Sequence, residues 1–300
     1  MRIAITGGTG FVGSHLIELA LSEGHQIQAL TRRPQEPQAN LTWIEGALDR
    51  PDSLATLCAG CDAAIHVAGV INGSPHEFHQ GNVVGTQNVL AAAMDAGIRN
   101  FVHVSSLSAR EPQLSAYGRS KLESEPPVIA APLGWTIIRP AAIYGPRDRL
   151  LLDLFRFARR GVLPLPPGGR MSVIHVRDLC RLMLACLGSD LARGRTFEPD
   201  DGREGGWTMV EFARAIGRAV HRRVIPLPMP KSLLLAGARI DRLIRGSKAQ
   251  LTPDRVNYFC HPDWAASPHA HPSADLWMPQ IPTEDGLAAT ARWYKAHGWL

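Results

Sequence analysis

A glycine-rich turn that follows the first apolar run is the feature that most restricts the fold of this chain. Residues 6–13 read Thr-Gly-Gly-Thr-Gly-Phe-Val-Gly and come directly after the apolar residues 3–5. Gly7, Gly10 and Gly13 allow a strand to turn sharply, a pyrophosphate to approach the backbone, and the next helix to pack closely on the sheet. The N-terminus of that helix attracts phosphate charge. The pattern therefore predicts a strand, turn and helix that bind a nucleotide.

Short apolar runs alternate with helical patterns over the first half of the chain. The runs predict strands near residues 2–6, 26–30, 41–45, 62–67, 100–104 and 135–138. Between them, apolar residues recur at helical spacing and form one stripe. Because strands that alternate with helices form parallel sheets, we expect a doubly wound α/β fold.

A tyrosine and a lysine at helical spacing indicate chemistry. Tyr117 and Lys121 are four residues apart, so both side chains lie on one face of a predicted helix. An ammonium group there is expected to lower the pKa of the phenol from its ordinary value of about 10. Residues 101–106, Phe-Val-His-Val-Ser-Ser, indicate a parallel strand with Ser106 at its carboxyl end. Since ligands bind at these strand ends, we expect the glycine turn, Ser106 and Tyr117 to share one crevice.

With these motifs and four further segments, the chain resembles the extended and atypical branch of the short-chain dehydrogenase/reductase superfamily. Within that branch it is similar to the NAD-dependent epimerase/dehydratase family. The four segments follow in the family's order: His66-Val67-Ala68-Gly69, 82–88, 139–146 and 175–179. The resemblance implies a Rossmann fold and a catalytic set of Ser106, Tyr117 and Lys121. The residues it implies for cofactor binding are Gly7, Thr9, Gly10, Phe11, Val12, Gly13, Leu48, Val67, Ala68, Gly69, Lys121, Pro140 and Ile143.

The implied reaction transfers a hydride between a nicotinamide and a carbonyl carbon. Tyr117 would protonate the developing alkoxide, and Ser106 would donate a hydrogen bond to the same oxygen. Lys121 would hold the nicotinamide ribose. Ser105 and Ser108 are alternatives to Ser106 in this role. Ser106 is preferred because it aligns with the second serine of the family's pair, and because side chains alternate along a strand, so that Ser105 points to another face.

The end of the second predicted strand indicates the cofactor. An acidic residue there binds the ribose 2′-hydroxyl of NAD, and an arginine accommodates the 2′-phosphate of NADP. The chain carries Arg32 and Arg33 at this point and no acid. We therefore predict NADP(H) in preference to NAD(H), with Arg32 on the phosphate and Arg33 adding charge or stacking on adenine. Ala47 replaces the aspartate by which the family contacts adenine, whereas Leu48 can still pack on the ring.

Composition predicts a globular enzyme with one large core or two unequal cores, since 45% of the 300 residues are apolar and 20% are charged. We expect a cytoplasmic protein without a membrane span, because no apolar stretch is long enough and the first strand begins at the N-terminus. The net charge of +5 is scattered, which argues against nucleic acid as a partner. We expect no metal site, and we interpret Cys58 and Cys61 as a coincidental pair.

We predict a cofactor domain of residues 1–148 and 171–202 and a smaller, mainly helical substrate-binding cap of 149–170 and 203–300. Helical patterns in the cap lie near residues 208–220, 232–245 and 284–297, and its Pro-rich, loop-like stretches are 163–169, 226–230 and 263–264. The helix at 231–245 is amphipathic with a basic side, and we expect it to pack over the substrate cleft rather than lie on a membrane. Three tryptophans and a phenylalanine, Trp207, Trp264, Trp277 and Phe259, are expected in small cores, with an apolar pocket as the alternative.

Two departures from the sugar-epimerase pattern bear on function. Ser106 and Tyr117 are only eleven residues apart, whereas those enzymes have a longer excursion there, so we expect a different or smaller substrate. Pro126 and Pro127 are expected to end the helix that carries Tyr117. The resemblance implies that this helix commonly builds the dimer interface, so a monomer becomes credible beside a homodimer. The preferred hypothesis is an NADPH-dependent reductase of a carbonyl or enone in a small apolar or aromatic molecule. The alternatives are a nucleotide-sugar epimerase or dehydratase and a non-catalytic NADPH-binding sensor or assembly subunit.

Overall fold

The computed structural model describes residues 1–246 and 251–300, and the chain divides into two compact units. The first unit comprises Met1–Pro140, Val176–Glu198 and Ala270–Met278. The second comprises Ala141–His175, Pro199–His269 and Pro279–Leu300. Relative to the division expected from the sequence, segments 141–148, 171–175 and 199–202 change to the second unit and 270–278 to the first. The strands within 141–148 and 171–175 pair with each other, which explains why they stay together; the roles assigned to the two domains stay predictions.

The bounds of the regular elements are as follows. The strands are β1 Arg2–Thr6, β2 Gln26–Thr31, β3 Leu41–Glu45, β4 Ala63–His66, β5 Asn100–Val104, β6 Gly134–Ile138, β7 Ala142–Tyr144, β8 Val162–Leu165, β9 Arg170–Met171, β10 Val173–His175, β11 Arg195–Phe197, β12 Trp207–Thr208, β13 Ile225–Pro228 and β14 Asp263–Trp264. The helices are α1 Phe11–Ser22, α2 Pro51–Cys58, α3 Pro75–Phe78, α4 Gly85–Asp95, α5 Ala116–Ala130, α6 Leu152–Arg159, α7 Val176–Ala185, α8 Met209–Ala219, α9 Lys231–Arg245, α10 Pro253–Phe259 and α11 Thr283–Ala296.

One seven-stranded parallel sheet forms the first unit, in the order β11-β6-β5-β4-β1-β2-β3. Its inner strands are buried along almost their whole length, as expected where helices cover both faces of a parallel sheet. The predicted α/β fold is confirmed, and the six predicted strands agree with β1–β6 to within a residue or two. The seventh strand, β11, was not predicted because three residues carry too little periodicity.

Helix α5 continues through two prolines, so the prediction that they end it is wrong. Pro126 and Pro127 lie inside the helix, and their missing amide hydrogens deprive the carbonyls four residues earlier of donors. Tertiary packing offsets this loss, because Val128, beyond both prolines, is fully buried. Glu125, directly before them, is also buried and holds an ion pair with Arg139.

Three small sheets belong to the second unit, β10-β7, β12-β9-β14 and β13-β8, as far as the chain is described. Two Pro-rich stretches expected as loops pair as the parallel strands β8 and β13, with Leu163 opposite Pro226. This is possible because a proline is tolerated in an edge strand, where its missing N–H is not needed. The three helical patterns of the predicted cap appear as α8, α9 and α11.

The aromatic residues of the cap region are distributed unevenly. Trp207 belongs to the core of the second unit together with Phe155, Phe212 and Tyr294. Trp264 and Trp277 are buried as well, and each indole N–H donates to a backbone carbonyl. Phe259, by contrast, is 44% exposed, so the expected core role does not apply to it. Within residues 1–246 and 251–300, no helix combines the length and hydropathy that crossing a bilayer requires.

Candidate active site

The glycine turn joins β1 to α1 with no space for side chains. Gly7 has a φ of +74°, and a Cβ at Gly13 would lie 2.1 Å from the carbonyl oxygen of Gly7. The N–H of Gly10 closes the turn on that same oxygen at 2.9 Å. Because Gly10 is the N-cap of α1 and supplies no side chain, the first-turn amides of α1 are left for an outside anion. Thr9 is exposed here, and Phe11 and Val12 are half-buried, so the turn fits the diphosphate of a dinucleotide.

The end of β2 presents both predicted arginines to solvent. Arg32 and Arg33 are exposed, directly after Thr31. The Thr31 hydroxyl donates to the carbonyl of Arg33 at 2.6 Å and accepts its amide at 3.2 Å, which fixes the backbone of this loop. Leu48, after β3, is half-buried, and its carbonyl accepts a hydrogen bond from the Asn88 side chain.

The turn after β4 lies beside the glycine turn. The amide of Ala68 donates to the Thr6 hydroxyl at 3.2 Å, and a Cβ on Gly7 would come within 2.7 Å of the Ala68 nitrogen. A Cβ on Gly69 would lie 3.3 Å from Lys121 Nζ. Asn82 holds the next residue, Val70, by accepting its amide at 2.7 Å and donating to its carbonyl at 3.0 Å. Residues Val67 to Gly69 are thus fixed between the glycine turn and Lys121.

Hydrogen bonding distinguishes Ser106 from the two neighbouring serines. Ser105 is buried and donates its hydroxyl to Glu125 Oε1 at 2.6 Å. Ser108 is fully buried and donates both its amide and its hydroxyl to Ser106 Oγ, at 3.2 and 2.9 Å. Because Ser106 Oγ accepts both of these bonds, its own hydroxyl hydrogen is free to point elsewhere. This arrangement favours Ser106 over Ser105 and Ser108.

Tyr117 lies near the N-terminus of α5 and is half-buried against the ring of Phe78. Burial raises the pKa of Tyr117 above its ordinary value, and a hydrogen bond from Ser106 opposes that shift. The expectation that Lys121 lowers this pKa is therefore wrong for the structure described. The physical reason is that desolvation disfavours phenolate, while the lysine ammonium bonds to the backbone instead.

Lys121 is buried one turn after Tyr117. Its Nζ donates to the carbonyl of Val104, at the end of β5, at 2.9 Å. Burial lowers the pKa of Lys121 to about 8, and the charge of Glu125 acts in the opposite direction. Lys121 therefore joins the end of β5 to the turn at Gly69, so the catalytic candidates and the nucleotide turn belong to one site.

Comparison with known proteins agrees with this geometry. The model of the NAD dependent epimerase/dehydratase family matches residues 3–198. The chain belongs to that family. Ceramide reductase from Caulobacter vibrioides (strain NA1000 / CB15N) is 36% identical over 312 residues, covering 99% of this chain and 96% of the relative. The 2-alkyl-3-oxoalkanoate reductase of Stenotrophomonas maltophilia (strain K279a) is 29% identical, with coverages of 96% and 97%.

Among solved structures, Thermus thermophilus UDP-glucose 4-epimerase in complex with NAD has the same fold. Its TM-score is 0.74 at 19% identity, with coverage of 98% of this chain and 99% of that chain. This epimerase/dehydratase family member is an NAD(P)-dependent oxidoreductase of the short-chain dehydrogenase/reductase type. The glycines that exclude side chains around the turn fit the dinucleotide that such enzymes use.

A largely buried ion-pair network supports α5, the helix of Tyr117, and was not found from the sequence. Glu125 accepts two hydrogen bonds from Arg139, at 2.9 and 2.6 Å, besides the one from Ser105. Arg139 also lies 3.7 Å from Glu198, which in turn pairs with Arg110 at 3.3 Å. The available signal was an acid four residues after Lys121 and an arginine directly after β6.

Two buried histidines lie beneath the site. The rings of His66 and His103 stack with centroids 5.5 Å apart. His66 hydrogen-bonds to Thr6 at 2.6 Å and to Thr86 at 3.0 Å, and His103 hydrogen-bonds to Ser124 at 2.9 Å. Burial and the charge of Lys121 lower the pKa of His66 to about 3 and that of His103 well below its ordinary value. Both rings are therefore neutral at physiological pH.

The remaining predicted residues lie in different places. Pro140, at the end of β6, accepts the amide of Leu107 with its carbonyl at 3.2 Å, which keeps it next to the Ser106 turn. Ile143 belongs to the second unit, in β7. Cys58 and Cys61 are buried, and burial raises the pKa of both thiols, to about 12 for Cys58. Across the described ranges, no group of three or more His, Cys, Asp or Glu side chains is placed to hold a metal ion.

Proposed function

We propose that this chain uses NADPH to reduce a ketone, or another carbonyl or enone, in a small apolar molecule. The observation that carries the proposal is the placement of Lys121 one turn after Tyr117 on α5. Its buried Nζ donates to the Val104 carbonyl, two residues before Ser106, and lies next to the Gly69 turn. This is the set of groups that a carbonyl oxygen needs as it gains negative charge.

The roles follow from the protonation states. NADPH, when bound, supplies the hydride. Because its pKa is raised, Tyr117 keeps its proton at neutral pH and is placed to give it to the alkoxide. Ser106 directs its hydroxyl hydrogen to the same oxygen, and the cationic Lys121 stabilises negative charge nearby and positions the ribose of the cofactor.

NADPH is proposed over NADH because of Arg32 and Arg33. Both side chains are exposed at the end of β2, on a backbone fixed by Thr31. A guanidinium binds a phosphate through two parallel hydrogen bonds, and this 2′-phosphate is absent from NADH. Arg32 is assigned to the phosphate, and Arg33 to additional charge or adenine stacking.

The substrate class is proposed from the relatives together with the loop before Tyr117. The two relatives above act on ceramide and on 2-alkyl-3-oxoalkanoate, which both carry hydrocarbon chains. In this chain the connection from Ser106 to Tyr117 is a compact turn in which Leu107, Ser108 and Ala109 are all buried. A substrate with a hydrocarbon chain next to the reacting carbonyl is therefore proposed over a nucleotide-sugar. Cytoplasmic location and the choice between monomer and homodimer stay predictions.

The test is to titrate the purified protein with NADPH and NADH and then follow nicotinamide absorbance with a panel of carbonyl compounds. The panel contains aldehydes, β-ketoesters and alkyl ketones of increasing chain length, enones and nucleotide-sugars. We expect oxidation of NADPH with alkyl ketones and faster turnover as the chain lengthens. Epimerisation of a nucleotide-sugar without net NADPH oxidation, or tight NADPH binding with no turnover of any compound, would contradict the proposal.

A further inference from the structure

The positive charge, which was expected to be scattered along the chain, is in fact concentrated in one segment of the second unit. Residues 214–245 contain eight Lys or Arg residues and a single acid, Asp241, which gives a net charge of +7. Since the whole chain carries +5, the other residues together carry −2. The basic character of the protein therefore comes entirely from this stretch.

The first part of the segment places arginines beside exposed aliphatic residues. The residues that line a cavity at the end of α8 include four arginines, Arg214, Arg218, Arg222 and Arg223, and the aliphatic Ile225. Ile225 is 61% exposed, and Leu227 in the same strand is also exposed. Arg218 pairs with Glu284 at 2.7 Å, but both side chains are more than half exposed, so the pair neutralises little of the local charge.

The second part is α9, which has an apolar face open to solvent. Leu233, Ile240 and Ile244 follow one another at seven- and four-residue spacing and are all more than half exposed, and Leu243 beside them is 85% exposed. The helix buries Ala238 on its other side, so packing explains only part of its apolar surface. Lys231, Arg239 and Arg245 are exposed on the same helix.

We propose that segment 214–245 is a docking surface for an anionic lipid bilayer. This replaces the expectation that the helix at 231–245 packs over the substrate cleft, because four of its aliphatic side chains are exposed. Exposed aliphatic side chains gain by burial in the headgroup region, and Lys and Arg gain by approaching anionic lipids. A second copy of this chain fits less well, because it would bring a segment of +7 against another of +7. Nucleic acid would match the charge but would leave four aliphatic side chains of α9 exposed.

The use of such a surface rests on the proposed function. A substrate that carries a hydrocarbon chain partitions into a bilayer, so an enzyme held at the bilayer surface meets it at high local concentration. Docking is reversible, since the surface consists of a few aliphatic side chains and arginines.

Vesicle flotation of the full-length protein tests the proposal directly and needs no turnover. The probes are vesicles of phosphatidylcholine alone and vesicles that also contain phosphatidylglycerol. We expect binding to the anionic vesicles and a loss with added salt. Arg222→Glu/Arg223→Glu should weaken binding about 30-fold or more, and Leu243→Glu/Ile244→Glu about 10-fold or more.

The controls are exposed side chains of the same chemical types that lie in the first unit. Arg193→Glu and Leu191→Glu alter side chains that are 62% and 52% exposed and should leave binding unchanged. Lack of binding by the natural chain, or equal binding by all variants, would overturn the proposal. A dimer in light scattering that the Leu243/Ile244 variant abolishes would assign the face to a second copy instead. Turnover of a water-soluble ketone by the natural chain is measured in parallel; its complete absence counts against the proposed function and leaves the vesicle result intact.

Discussion

The site proposed for catalysis in the first unit and the surface proposed for lipid contact in the second contain opposite kinds of costly group. The first unit takes ionisable groups into its interior: Lys121, Glu125, His66 and His103 are all buried. The second unit leaves aliphatic groups in solvent, with Leu243 and others exposed on α9 and β13. Both choices cost stability, because a buried charge must be desolvated and an exposed aliphatic group is hydrated. Each cost lies where we propose a function, catalysis in the first unit and lipid contact in the second.

The largest expected effect concerns catalysis and tests whether the chemistry lies in the first unit. Tyr117→Phe removes the proton donor but keeps the ring against Phe78. We expect kcat to fall about 1,000-fold while the affinity for NADPH changes little. Tyr294→Phe, a buried tyrosine of the second unit that donates to the carbonyl of Asp148 at 2.6 Å, is the control and should keep its kcat. Steady-state kinetics with NADPH checks both variants, and an unchanged kcat in Tyr117→Phe would disprove its role.

The second effect concerns stability and compares two ion pairs of nearly equal length. Glu125–Arg139 at 2.6 Å is largely buried, whereas Glu284–Arg218 at 2.7 Å is more than half exposed. Glu125→Gln should lower the free energy of unfolding by about 3 kcal/mol, because Arg139 then loses a buried partner. Glu284→Gln should lower it by less than about 1 kcal/mol. Urea denaturation measures both; equal losses would show that burial does not distinguish the two pairs.

The third effect concerns cofactor choice. Arg32→Ala should weaken NADPH binding by about 2 kcal/mol, or about 30-fold, and leave NADH binding nearly unchanged, since only NADPH has the 2′-phosphate. Arg33→Ala is the companion variant and should have a smaller effect on NADPH. Fluorescence titration with both cofactors measures the ratio. Equal weakening of NADH and NADPH by Arg32→Ala would mean that this arginine does not select the cofactor.

The fourth effect is a pH dependence of stability that arises in the first unit. The folded protein depresses the pKa of His66 from 6.5 to about 3, so below pH 6.5 the unfolded chain binds a proton that the folded protein refuses. The stability that the neutral ring contributes is therefore present above pH 6.5 and is lost as the pH falls toward 3, by about 1.4 kcal/mol per pH unit. His103 adds a slope of the same sign.

Urea denaturation between pH 7.5 and 5 checks this slope. His66→Gln should reduce it, because glutamine can hydrogen-bond to Thr6 and Thr86 without titrating in this range. His269→Gln, an exposed histidine of the second unit, should leave the slope unchanged. An unaltered slope in His66→Gln would show that acid sensitivity arises elsewhere.

The large sheet could be predicted from the sequence, but the pairing of the short strands in the second unit could not. Strands such as Arg2–Thr6 and Asn100–Val104 were predicted to the residue because buried parallel strands are nearly continuous apolar runs. The pairing of Val162–Leu165 with Ile225–Pro228 was missed, since it joins two Pro-rich stretches about sixty residues apart. Local patterns do not contain such long-range pairings.

The same distinction applies to the candidate site. Tyr117 and Lys121 could be placed on one helix face from spacing alone. The ion pair between Glu125 and Arg139 could not be predicted in this way, because the first residue lies in α5 and the second directly follows β6. This ion pair helps to hold α5 in place where Pro126 and Pro127 interrupt its own hydrogen bonds. The direction of the pKa shift of Tyr117 was also inaccessible, since it depends on burial rather than on the spacing of the lysine.

The two prolines in α5 have a consequence for local unfolding. Neither proline contributes an amide hydrogen, so the end of the helix has fewer backbone hydrogen bonds of its own. It is held mainly by the burial of Val128 and by the buried carboxylate of Glu125. The same carboxylate holds Ser105, which adjoins Ser106. We therefore expect fraying at the far end of the helix to be coupled to loosening of the chain at Ser105 and Ser106.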